Sequence, residues 1–176
     1  GSWGWFGGAD RGDPVMTAHV VHGLKIAGST VKLPGNMLLR AVSWLTGHQN
    51  RQLALLVKGD AYRKLEKQPD GPATQKAIRE LGDYRLTASA SDVLIYSVLA
   101  ENGVRNLQME RYLFRDRLEL PVISQIQLAE ILLDAHRMDD FKEIMPVISQ
   151  FLQQDDSLQT AWLRLPNQGY WWRWYG

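Results

Sequence analysis

The chain has no cysteine among its 176 residues. Disulfides, thiolate metal sites and cysteine nucleophiles are therefore excluded, while the compartment stays open. It also lacks an excess of either charge: twenty basic residues stand against nineteen acidic ones, a formal net charge of +1. That balance supplies no electrostatic footprint for nucleic acid or an anionic membrane surface. Long apolar runs are missing too. The apolar stretches are of helix-core length and are interrupted by charge, which argues against a transmembrane span. No signal-peptide pattern stands at the start, and Gly1-Ser2 reads in part as a cloning scar. No glycine loop has phosphate-binding spacing, and no serine, histidine and carboxylate fall into a nucleophile motif. These residues imply no cofactor.

What is present is helical periodicity. A chain of this length can bury ~70% of its unfolded surface, enough for one domain or a large piece of one. Asp13-Pro14 reads as an N-cap followed by proline at the first helical position, opening an apolar helix from Pro14 to Ala27 with Gly28 as its C′ residue. Being apolar on most of its circumference, that helix should be covered by other helices. Pro34-Gly35-Asn36 starts a second helix through Met37, Leu38, Ala41, Val42 and Leu45, with Trp44 beside them. Two readings of its end stand: a break at Gly47 to Asn50, or a run on through Leu53, Leu56, Val57, Ala61 and Leu65 past Gly59, which costs ~1 kcal/mol relative to Ala. Lys67–Pro72 is the clearest interior break, followed by a short polar helix over Ala73–Leu81.

Ser89 or Ser91 then caps a helix that stops at Gly103, and Asn106 to Leu118 forms the next. Pro121 opens a helix over Val122–Arg137. Asp140 and Glu143, three apart, predict a capping box for a helix running to about Gln153, kinked or delayed by Pro146. Beyond Asp155-Asp156 the period changes. Leu158–Leu165 and Tyr170–Tyr175 flank the breakers Pro166 to Gly169, and the aromatic alternation predicts a short β-hairpin near the C-terminus. The class is all-α, as antiparallel helix pairs. Their uneven lengths match no regular repeat and fit a toroid or a solenoid equally well.

Several side chains invite chemistry, each with a plainer explanation. His19 and His22 lie three apart on one helix face, the spacing of two metal ligands, but no third ligand is evident; hydrogen-bonded histidines in the core or a groove explain the pair better. Arg11-Gly12-Asp13 spells an adhesive tripeptide, yet Asp13 already has a capping role. Asp139-Asp140 invites comparison with the acidic motif of terpenoid cyclases, although a cap accounts for Asp140; Asp155-Asp156 reads as a solvated helix end and the start of a turn. Of seven tryptophans, five stand near the ends: Trp3 and Trp5, then Trp171, Trp172 and Trp174. Without a basic groove these do not point to base stacking; with Phe6 and Tyr175 they are candidate contacts to neighbouring domains or to a partner.

The glycine–tryptophan run Gly1–Phe6, followed by Asp13-Pro14, Thr17-Ala18 and Val20, resembles the thioester-domain region of bacterial alpha-2-macroglobulins, with His19 where that family commonly has an aromatic. The resemblance continues through Ser91–Gly103 and ends at Gly169–Gly176, so it covers most of the chain. It implies an α/α toroid, here an incomplete, toroid-like arc of helix pairs, with residues 1–176 as a single partial domain. It further implies scaffold in a broad-spectrum protease inhibitor, without enzymatic activity of its own, in the periplasm or otherwise outside the bacterial cytoplasm, with any membrane anchor in the parent chain. Partners would be the other domains of the parent and, through it, target proteases. The reactive Cys-x-x-Gln of that family lies N-terminal to the matched region. A piece of a toroid should lack neighbours at both ends, so the terminal aromatics are expected to be partly exposed or covered by a second copy. The rivals are an enzyme of terpenoid cyclase type on the same toroid and a plain helical interaction module.

Overall fold

The computed structural model describes residues 1–4, 12–32 and 34–164. Seven α-helices and one short antiparallel hairpin make up the regular structure of these residues, an all-α class with a terminal β element. The chain divides into two compact units, Gly1–Asp116 and Arg117–Gly176.

The first unit is assembled on α1 (Pro14–Ala27), α2 (Met37–Glu66) and α4 (Ala90–Glu101), which pack against one another. Ala18 and Val21 of α1, Ala41, Val42 and Leu45 of α2, and Ile95, Val98 and Leu99 of α4 form its core, with Trp3, Leu38, Trp44, Leu94 and Val104 closing the edges. Asp13 caps α1 as expected, its Oδ1 accepting from the Met16 N–H at 2.8 Å. Gly28 differs: it is right-handed (φ −63°), and the backbone continues into tight turns through Val31 in place of a left-handed stop.

Of the two readings of the second helix, the longer holds. The buried residues Ala41, Val42, Leu45, Gln49, Leu53, Leu56 and Gly59 recur at three- and four-residue steps across the whole helix. The same face therefore stays inward through Gly47 and Asn50, and tertiary burial overrides their weak propensity. At 30 residues α2 is about 45 Å long. After the Lys67–Gly71 break comes α3 (Pro72–Leu81), packed on α2. Tyr84, just beyond, stacks on Tyr62 with ring centroids 4.4 Å apart. Ser89, not Ser91, caps α4, in a box closed by Asp92. Gly103 takes φ +79° after that helix, a conformation that favours glycine. Asn106 caps α5 (Leu107–Arg115), which stops three residues short of Leu118 and gives way in the second unit to a 3₁₀ turn over Arg117–Glu119.

In the second unit α6 (Val122–Asp134) packs on α7 (Met138–Ser149). The first ends before Arg137 because His136 adopts φ +56°. The capping box expected at Asp140 and Glu143 is not formed. Arg137 is the cap position, Asp140 lies inside the first turn with its carboxylate on the Arg137 guanidinium, and Glu143 pairs with Arg117. Pro146 neither delays the helix nor ends it.

The helix stops at Ser149, short of Gln153, because the chain turns into β1 (Leu152–Asp155), antiparallel to β2 (Thr160–Leu163), with Leu152 opposite Leu163 and Asp155 opposite Thr160. This hairpin thus turns at Asp155–Gln159, and its second strand lies within the arm expected over Leu158–Leu165. Asp155 builds that turn by accepting from the Ser157 and Leu158 N–H groups and the Ser157 hydroxyl, and Gln159 supplies the left-handed residue (φ +52°). The expected turn at Pro166–Gly169 and the arm Tyr170–Tyr175 lie outside the described residues.

Candidate functional site

Three of the residues that carry the family resemblance, Trp3, Asp13 and Thr17, meet at the start of α1. The Trp3 N–H donates to Thr17 Oγ1 (2.9 Å), the Thr17 hydroxyl donates back to the Trp3 carbonyl (3.2 Å), and the Asp13 N–H donates to the same carbonyl (2.8 Å). Thr17 is fully buried, and the half-buried Trp3 packs on the core. The Thr17 hydroxyl and the Asp13 backbone N–H thus satisfy both backbone groups of Trp3, while the Asp13 side chain is spent on the α1 cap.

Further along, charged side chains tie helices together. Arg85 reaches both oxygens of the buried Asp92 carboxylate (2.6 and 3.1 Å), Gln52 Oε1 on α2 (2.7 Å) and the Thr87 carbonyl (3.3 Å). Asp92 also accepts from the Ser89 backbone and hydroxyl. Tyr96 on α4, fully buried, donates to Glu110 of α5 at 2.7 Å. Burial, and then that hydrogen bond, push its phenol well above the ordinary range.

The third knot joins α2 to α5. The Tyr112 hydroxyl donates to Asp60 Oδ2 at 2.6 Å, and Arg115 Nη1 donates to Asp60 Oδ1 at 2.7 Å. Arg115 also holds both oxygens of the buried Asp116 through Nε and Nη2, and gives a further Nη2 bond to the Leu86 carbonyl. Its guanidinium lies 4.5 Å over the Tyr112 ring. Burial first, and then the bond to Asp60, push the Tyr112 phenol up to about 12. The paired Asp116 raises the guanidinium of Arg115 further. Asp60, Gln108, Arg111, Tyr112 and Arg115 line an open cavity of about 400 Å³ beside this knot.

The residues singled out in the sequence are dispersed. His19 and His22 are both exposed, so neither is a core histidine; His22 Nδ1 pairs with Glu101 at 2.9 Å, linking α1 to α4. Among the described residues no three His, Asp or Glu side chains converge as a metal set. Asp139 and Asp140 stand at the first turn of α7, and Asp155 is consumed by the hairpin turn. Of the terminal aromatics, Trp3 is described; Trp5, Phe6, Trp171, Trp172, Trp174 and Tyr175 lie outside the described residues, as does Arg11. No described helix is long and apolar enough to cross a membrane.

Sequence reasoning missed the Asp60–Tyr112–Arg115 knot. A signal existed: Gln108, Arg111, Tyr112 and Arg115 follow the i, i+3, i+4, i+7 stripe of one helix face. It pairs with a carboxylate 52 residues upstream, which periodicity cannot foresee.

No protein-family model matches the chain, and neither a curated protein nor a solved structure matches it.

Proposed function

We propose that this chain is scaffold from the thioester-domain region of a bacterial alpha-2-macroglobulin-like protease inhibitor. The observation that carries the reading is the Trp3–Thr17–Asp13 knot: these three residues of the resembling motif act together, Thr17 and the Asp13 backbone holding the backbone of Trp3 against α1. The polar groups of the helical core support the same reading, since Asp60, Asp92, Glu110 and Asp116 are engaged in ties between elements. A cysteine-free segment of this kind contributes rigidity and docking surface to a parent that captures proteases, outside the bacterial cytoplasm, while bait and reactive bond belong to other parts of that parent.

The test uses the full-length parent. Incubated with an endopeptidase, it is expected to be cleaved at one exposed stretch and then to co-elute with the protease on gel filtration. Where a Cys-x-x-Gln precedes the present segment, the conjugate is expected to survive denaturation and to be prevented by methylamine. A parent that leaves protease activity towards large substrates untouched and retains no protease would overturn the reading.

A further inference from the structure

The cavity between α2 and α5 has the makings of a site that the scaffold reading does not use. Gln108, Arg111, Tyr112 and Arg115 present one face of α5 to it, and Asp60 closes the α2 side. Two of these side chains are held rigid before any ligand arrives. Tyr112 is locked to Asp60, and Arg115 is held by Asp60, Asp116 and the Leu86 carbonyl. A guanidinium carries five N–H donors. The four bonds of Arg115 leave one Nη1 N–H unspent on a side chain that lines the cavity. Arg111 contrasts with it: it is exposed, lines the same cavity, and has no hydrogen bond or ion pair to any described residue.

The charges select the ligand. Among the lining residues Arg111 and Arg115 are cationic and Asp60 is anionic, which leaves one positive charge. A monoanion neutralises it, whereas a dianion would leave a second, unmatched negative charge beside the Asp60 carboxylate. The guanidinium fork of Arg111 matches a planar carboxylate bidentately, and the Gln108 amide offers a further donor.

We propose that this cavity is a carboxylate-binding site, with Arg111 as the principal ligand-contacting residue and Arg115 as a preorganised second donor. The inference does not rest on the protease-inhibitor reading. Its ligand is either a small carboxylic acid or an acidic side chain of a protein partner.

The experiment follows the side-chain Nε–Hε signals of Arg111 and Arg115 by NMR in the 176-residue chain. The probes are benzoate, inorganic phosphate and two capped peptides, Ac-AAEAA-NH2 and Ac-AAQAA-NH2. Both arginine signals are expected to shift saturably with benzoate or with the Glu peptide, and less with phosphate. Loss of one charge-assisted pair should weaken binding about tenfold or more in Arg111→Ala. Arg79→Ala, an exposed arginine on α3 away from the cavity, should leave it unchanged. Saturation by benzoate alone assigns the site to small acids. Saturation by the Glu peptide but not its Gln counterpart assigns it to a partner's side chain. No saturable shift with either, tighter binding of phosphate, or undiminished binding in Arg111→Ala at an unchanged melting temperature would each overturn the proposal.

Discussion

The backbone carbonyl of Arg85 occupies the place where a side chain on Gly59 would begin: a Cβ at residue 59 would stand 1.9 Å from that oxygen. The approach is held by the Arg85 N–H, which donates to the Leu55 carbonyl on α2 at 3.0 Å. Through it the segment after α3 lies against α2, and the Arg85 side chain is placed to reach Gln52 and Asp92. Gly59→Ala gains up to ~1 kcal/mol in helix propensity. Against that stands a forced backbone displacement, for which overpacking costs of ~1–3 kcal/mol or more are typical. The variant is expected to be less stable by about 2 kcal/mol in urea unfolding. A stability equal to or above that of the parent chain would show that the Arg85 segment moves freely.

Tyr96 and Glu110 are both fully buried and bonded at 2.7 Å. Tyr96→Phe keeps the ring and removes the donor from a carboxylate with no access to water, so it should destabilise by about 1–3 kcal/mol. A double-mutant cycle with Glu110→Gln should give a coupling of about 1–2 kcal/mol between these contacting residues. Strict additivity would show that the bond contributes nothing to α4–α5 packing.

His48 stacks on Trp44 with ring centroids 6.1 Å apart. Burial, then the Arg51 charge, lower its pKa below the ordinary 6.5; Arg85 adds to this and Asp92 opposes it. The unfolded chain therefore binds a proton at this residue before the folded chain does. Stability from His48 is complete above about pH 6.5 and is lost as pH falls through that value towards the folded pKa. His48→Gln should flatten this loss, so that the urea midpoint drops less between pH 7.5 and 5.5 than in the parent chain. An identical drop in both would assign the acid sensitivity to other groups.

Elements set by neighbours in sequence were legible. Asp13-Pro14 opens α1, Pro69 to Pro72 separate α2 from α3, Asn106 caps α5, and Gly103 turns left-handed after α4. Each depends on a cap or a backbone preference acting over four residues or fewer. The capping box at Asp140 failed because two local signals competed. Asp140 and Glu143 have capping-box spacing, but Arg137 and Arg117 draw those carboxylates away. The hairpin near the C-terminus is present, its turn built by Asp155 with Ser157 and Leu158, while the turn expected at Pro166–Gly169 lies outside the described residues.

The sequence by itself determined the helical class, most helix starts, and the absence of thiol chemistry, because periodicity, capping residues and composition act within a turn or two. Tertiary structure alone decided that α2 runs unbroken through Gly47 and Gly59, since a continuous buried face outweighs two weak helix formers. It alone decided that Asp60 meets Tyr112 and Arg115 across more than fifty residues of chain. Pairing between distant charges leaves no periodic trace in sequence; it exists only once α2 and α5 lie side by side.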